Sequence, residues 1–157
     1  MPLWAVRPRT EDTTMQVRFI LREKGREVVT IASDATISEA ARLLARRRIG
    51  AVLVRDRDGS LAGILSERDI VRAVADDSIA ALGQSVGAHM TRSISTCSET
   101  DTVEEIMEQM TRGRFRHVPV VEDDVLCGII SIGDVVKSRI EETVREAESL
   151  REYIAAG

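Results

Sequence analysis

The sequence predicts a mixed α/β (α+β) fold: two β-α-β-β-α units packed as a pseudo-two-fold pair, with an extended C-terminal helix. Three observations predict it. Residues 28–71 and 94–136 are two copies of one pattern. Within each copy the hydrophobic period changes from strand to helix in the same order. An apolar stripe at helical spacing then runs beyond the second copy to the end of the chain. A shift of 66 pairs Thr30 with Thr96, Thr36 with Thr102, Glu39 with Glu105, Arg46 with Arg112, Arg48 with Arg114 and Val52 with Val118. A one-residue deletion before Gly128 makes the shift 65, which pairs Gly63 with Gly128, Ser66 with Ser131 and Asp69 with Asp134. A repeat of this length marks two supersecondary units built on one plan.

The first unit opens with the β-branched run Val28-Val29-Thr30-Ile31. Ser33-Asp34-Ala35-Thr36 supplies turn and cap chemistry, and Ile37, Ala40, Ala41, Leu44 and Ala45 recur at helical spacing. Gly50 is expected to end that helix. Ala51–Val54 reads as a strand, Asp56, Asp58 and Gly59 as a turn, and Leu61–Leu65 as its hairpin partner. Ser66-Glu67-Arg68-Asp69 opens a second helix carried by Ile70, Val71 and Val74. The second unit repeats this order. Ile94–Cys97 is the expected first strand, and Val103, Ile106, Met107 and Met110 form a helix face. Val118–Val121 and Val125–Ser131 are the hairpin strands, and Asp134 lies in the opening turn of the last helix. The connecting segment, Asp76 to Met90, is too short and apolar for a free linker, so the units are expected to pack face to face. The last helix carries the stripe Val136, Ile140, Val144, Ala147, Leu150 and Ile154. Such a stripe packs on its own domain or, with spacing near 3.5, on another subunit. The expected division is a flexible leader over 1–15, units over 16–80 and 81–140, and a helix extension over 141–157.

The chain has 157 residues, one Trp, one Tyr and two Phe, so its core must be aliphatic. A net charge of −4 argues against general attraction to nucleic acid or to anionic membrane. No apolar run reaches membrane-spanning length, and Met1 to Met15 lacks the apolar stretch of a signal peptide. Cys97 and Cys127 fit neither a metal spacing nor a disulfide framework, which suits two ordinary buried thiols and a cytoplasmic setting.

Two β-α-β-β-α units, each with Gly-h-h-Ser-x-x-Asp-h (h for apolar), resemble the cystathionine-β-synthase (CBS) domain family. The segments are Gly63-Ile64-Leu65-Ser66-Glu67-Arg68-Asp69-Ile70 and Gly128-Ile129-Ile130-Ser131-Ile132-Gly133-Asp134-Val135. Ile49–Val54, Arg116-His117-Val118-Pro119-Val120 and Val86-Gly87-Ala88-His89-Met90-Thr91 add to the likeness, which covers roughly 17–140. The resemblance implies a stand-alone CBS pair that binds AMP, ADP, ATP, NAD(H) or S-adenosylmethionine in clefts between the units and reports its level. It implies one site at Thr30, Ile31, Ala51, Val52, Ser66 and Asp69, and another at Thr96, Cys97, His117, Val118, Pro119, Ser131 and Asp134. In each, Asp serves the ribose, Ser the phosphate, and the strands the adenine. AMP is the first expectation among these ligands, with no catalytic cofactor. The expected partners are the nucleotide, a second copy of the chain and a regulated protein, with energy sensing as the role.

The residues give this a physical basis. Each Ser-x-x-Asp lies where a strand becomes a helix, and free N–H groups with the positive dipole end attract phosphate there. The same pattern before an apolar run is also that of a capping box, which closes a helix end and does nothing more. Arg68, Arg114 and Arg116 are candidate phosphate ligands, because guanidinium pairs with phosphate through two hydrogen bonds. Cations are equally favoured in the last turn of a helix for structural reasons. His117 suits a pocket wall better than catalysis. The chain has no Gly-x-x-x-x-Gly-Lys-[Ser/Thr], Gly-x-Gly-x-x-Gly or His-Glu-x-x-His motif. It is therefore expected not to be an enzyme. The rival readings are an interaction protein working through the C-terminal helix with empty clefts, and a nucleotide hydrolase. The halves differ, with Glu67-Arg68 against Ile132-Gly133 and Gly50-Ala51 against Arg116-His117. The second site, with its fuller Arg-His-Val-Pro-Val match, is expected to be the better occupied.

Overall fold

In the computed structural model, residues 15–157 are described, and the expected leader lies outside them apart from Met15. The chain forms two compact units. One is contiguous, residues 27–95, and the other joins 15–26 to 96–157.

In the contiguous unit, β1 (Thr30–Ala32) runs parallel to β2 (Ala51–Arg55), which pairs antiparallel with β3 (Leu61–Ser66). Helix α2 (Ile37–Arg47) crosses between β1 and β2. It starts at a complete capping box: Glu39 N–H donates to the Thr36 hydroxyl at 3.1 Å, and Thr36 N–H to the Glu39 carboxylate at 2.9 Å. The helix ends at Arg48, held left-handed at φ 54, two residues before the glycine expected to stop it. Central strand β2 is buried from Ala51 through Val54. Its core partners are Ile37, Ala40, Leu44, Leu65, Val86 and Met90. Helix α3 (Glu67–Asp77), a 3-10 turn (Ser78–Gly83) and the short α4 (Val86–His89) complete the unit. The connecting segment is thus anchored, with Ala81, Val86 and Met90 buried.

The second unit repeats these devices. Helix α5 (Val103–Gly113) starts at the matching Thr102/Glu105 capping box and ends at Arg114, left-handed at φ 56. Strands β4 (His117–Glu122) and β5 (Val125–Ser131) form a hairpin whose register shifts between Val120 and Val121, as the first hairpin's shifts between Val54 and Arg55. One expected element is corrected: Ile94–Cys97 does not form a strand. Only Cys97 bridges to Val120, through Cys97 N–H to Pro119 O and Val121 N–H to Cys97 O. The cause is Pro119. In the first unit the matching Leu53 donates its N–H to Val29 O at 3.3 Å. Proline has no N–H to offer, so the ladder stops.

Two short segments seal the free edges of the hairpins. Thr91 N–H and carbonyl both pair with Ile64 of β3. Helix α1 (Val17–Lys24), which the hydrophobic pattern does not reveal, lies against β5. Both approaches need a glycine. A Cβ on Gly63 would lie 2.7 Å from the Thr91 carbonyl oxygen, and one on Gly128 would lie 2.7 Å from Leu21 Cδ2. A leucine tip can rotate away, whereas a paired backbone carbonyl cannot. Gly63→Ala is therefore expected to destabilise by about 1–3 kcal/mol and Gly128→Ala by clearly less. Urea titrations of both variants measure the difference, and equal midpoints would contradict it.

From α6 (Ile132–Ala156), the last and longest helix, only Val135 and Ser138 are buried. The stripe Val136, Ile140, Val144, Leu150 and Ile154 is exposed.

Candidate functional site

At the corner of the contiguous unit, Ala51 lies directly opposite Ser66, and Val52 opposite Leu65. The Glu67 N–H closes the corner on Gly50 O at 2.9 Å. Ser66 caps α3: its hydroxyl accepts from Asp69 N–H at 3.3 Å. Asp69 Oδ2 accepts in return from Ser66 N–H at 2.9 Å and from the Ser66 hydroxyl at 3.0 Å. Asp69 is only 9% exposed, and Thr91 Oγ1 reaches its other oxygen at 3.5 Å. Thr30 and Ile31 pair with Leu53 and Val54 on the adjoining strand.

The second corner is built alike. His117 faces Ser131, Val118 faces Ile130, and Pro119 faces Ile129. The Ile132 N–H closes on Arg116 O at 2.8 Å. Asp134 Oδ2 accepts from Ser131 N–H and from its hydroxyl, each at 2.9 Å. Here the edge segment contributes a charge. Lys24 Nζ donates to Asp134 Oδ2 at 2.6 Å and to Ile129 O at 2.9 Å. Burial alone would raise the Asp134 pKa. Hydrogen bonds from Lys24 and Ser131, with the ammonium's charge, outweigh it and leave the pKa below the usual carboxylate value. Asp134 is thus anionic at neutral pH and able to accept.

Each helix start retains one donor. The first N–H is taken by the strand carbonyl and the third by the serine hydroxyl. The second, on Arg68 or Gly133, has no acceptor among the described residues. The full capping geometry is therefore present at both corners. It still leaves an N–H at the positive end of a dipole beside a carboxylate.

The other expected residues are placed as follows. Cys97 is buried, and its thiol is pushed up to about 12 by burial and then by the charges of Asp101 and Glu122, which makes it unreactive. Cys127, expected to be buried, is half-buried. Thr96 is exposed, and its carbonyl accepts from Gln109. Arg68, Arg114 and Arg116 are exposed and form no ion pair among the described residues. His117 is half-buried at the head of β4. The structure thus gathers Ala51, Val52, Ser66 and Asp69 at one corner and His117, Val118, Ser131 and Asp134 at the other. Sequence reasoning missed Lys24 and Thr91 as partners of the two aspartates. The repeat could not reveal Lys24, because the shift sets it against Met90.

Comparison with known proteins gives a consistent picture. The CBS-domain pattern matches residues 21–76 and 85–141. The mitochondrial CBS domain-containing protein CBSX3 of Arabidopsis thaliana is 30% identical over 94% of this chain and 74% of its own length. The Arabidopsis protein CBSCBSPB1 is 31% identical over 88% of this chain, which spans 26% of that larger protein. Among solved structures, the CBS-domain protein ATU1752 of Agrobacterium tumefaciens is 51% identical, with a TM-score of 0.79 over 81% of this chain and 95% of that one. The CBS pair of MJ0100, in complex with 5′-methylthioadenosine and S-adenosyl-L-methionine, matches at 27% identity and TM-score 0.72 over 82% and 98%. The CBS protein PAE2072 of Pyrobaculum aerophilum, complexed with AMP, matches at 33% identity and TM-score 0.67 over 76% and 89%.

Proposed function

This chain belongs to the CBS-domain family, and from that premise we propose that it is a regulatory module that binds an adenine nucleotide and has no catalysis of its own. AMP is the first ligand in this reading, followed by ADP, ATP and NAD(H). The observation that carries it is the twin strand-to-helix corner. At each, an aspartate and an open helix N–H stand together, in a fold whose solved relatives hold AMP or S-adenosylmethionine. In the proposed complex Asp69 and Asp134 accept from ribose hydroxyls. Ser66, Ser131 and the helix N–H groups meet phosphate, helped by Arg68, Arg114 and Arg116. Thr30, Ile31, Ala51, Val52, Thr96, Cys97, His117, Val118 and Pro119 surround the base. Cytoplasmic residence belongs to the same reading, supported by two free thiols. Among the described residues no helix is long and apolar enough to cross a membrane.

Thermal melts with AMP, ATP, NADH and S-adenosylmethionine test it. A ligand that binds only the folded state at about a hundred times its Kd adds about 2.7 kcal/mol, a rise of several degrees. AMP is expected to give such a rise. If none of the four does, the second reading takes its place: a protein that acts by assembly, as a homodimer or with a regulated partner. The exposed apolar stripe of α6 favours that reading, because apolar side chains at this spacing are those of a helix that packs on another.

A further inference from the structure

The two aspartates differ in what already occupies them. Asp69 meets the neutral hydroxyl of Thr91 at 3.5 Å. Asp134 holds the Lys24 ammonium at 2.6 Å, in an ion pair whose side chains are 35% and 22% exposed. Thr91 N–H and Lys24 Nζ also bond the equivalent strand carbonyls, Ile64 O and Ile129 O. Lys24 is therefore the charged counterpart of an uncharged edge contact. Beside it lies a cavity of about 430 Å³ whose lining includes Arg22, Lys24, Asp134, Lys137, Ser138 and Arg145. Ser138 is 5% exposed, and its hydroxyl has no hydrogen-bond partner among the described residues.

We propose that Lys24 makes the Asp134 site selective for phosphorylated nucleotides over the bare nucleoside. This rests on the nucleotide-binding reading above. Lys24 and Ser131 share Asp134 Oδ2, so a ribose that engages the carboxylate competes with the ammonium for its charge. Adenosine would weaken that ion pair and give Lys24 no anion in return. A nucleotide carries the replacement anion with it. The flexible four-carbon stem lets the ammonium swing from carboxylate to phosphate, and Arg22, Lys137 and Arg145 line the same cavity together with Glu23 and Glu141. The Asp69 site, with threonine at this position, has no such exchange and discriminates less.

The test uses the full chain carrying Asp69→Ala, which isolates the Asp134 site, with Lys24 intact or changed to Met or Arg. AMP and adenosine affinities are measured by calorimetry. With Lys24 intact, AMP is expected to bind more tightly than adenosine. Lys24→Met is expected to lower the AMP-to-adenosine affinity ratio about ten-fold or more, the loss of one charge-assisted contact. Adenosine itself should bind no worse, and Lys24→Arg should keep the ratio. A ratio unchanged within about two-fold in Lys24→Met overturns the role of Lys24 and leaves the nucleotide reading standing. Failure of both ligands to bind the Asp69→Ala chain while AMP binds the parent overturns it too, by placing all binding at Asp69. Failure of AMP to bind even the parent overturns both.

Discussion

Replacing Asp69 and Asp134 together with alanine is expected to abolish adenine-nucleotide binding, by at least about a hundred-fold in Kd, while the chain still unfolds cooperatively. Each aspartate would otherwise accept from ribose hydroxyls through a charged oxygen, and such bonds are worth about 1.5–3 kcal/mol apiece. The substitutions also remove half of two capping boxes, at about 0.5–2 kcal/mol each. Asp134→Ala is the more disruptive, because Lys24 then retains only the Ile129 carbonyl. The fold supplies its own control. Glu39 and Glu105 close equivalent boxes at the starts of α2 and α5. The Glu39→Ala/Glu105→Ala chain should lose comparable stability and keep its affinity for AMP. Calorimetry on both double variants distinguishes the two roles. If both lose affinity equally, the aspartates matter only as caps. If neither loses it, the ribose assignment is wrong.

Leu21→Ala is expected to lower stability by about 2–5 kcal/mol, a cost set by the cavity left in a core that cannot fully collapse. Leu21 is 1% exposed and belongs to a buried cluster with Val17, Ile20, Ile106, Val118, Ile130 and Val135. It also lies over Gly128, where no other side chain can fill the gap from below. For a chain of this size the loss corresponds to a fall in Tm of roughly 5–15 °C. Hydrogen exchange should show the amides of α1 opening first. Leu21→Met, which conserves volume, should cost less than about 1.5 kcal/mol. A melt of Leu21→Ala within a degree of the parent would show that α1 contributes little to its unit.

The elements that the sequence announces are those whose signals recur in both copies. Thr36 with Glu39 and Thr102 with Glu105 mark two helix starts by chemistry that the structure realises bond for bond. The apolar runs of β2 and of the middle of β4 are equally plain, because a strand buried on both faces needs no polar alternation. Helix α1 was hidden for two reasons. It stands outside the repeat, and its eight residues give a helical period too few turns to show. The missing strand at Ile94–Cys97 was legible only through Pro119, whose effect falls on a neighbouring strand rather than on its own. At the candidate site, spacing placed both Ser-x-x-Asp pairs correctly at helix starts. The same spacing also offered the capping box that each pair forms, but it could not show that Lys24 would cross to Asp134, because 110 residues separate them.

The division of the chain also sets an order of assembly. Residues 27–95 are contiguous, and their partners emerge from the ribosome together. The other unit must join its first helix to strands made about a hundred residues later. Closing so long a loop raises the entropic cost only slowly with length but delays the contact. Until the final hairpin is synthesised, Val17, Ile20 and Leu21 lack Val118, Val120 and Ile130, the strand residues of their own buried cluster. During translation that part of their apolar face stays uncovered, a natural foothold for chaperones.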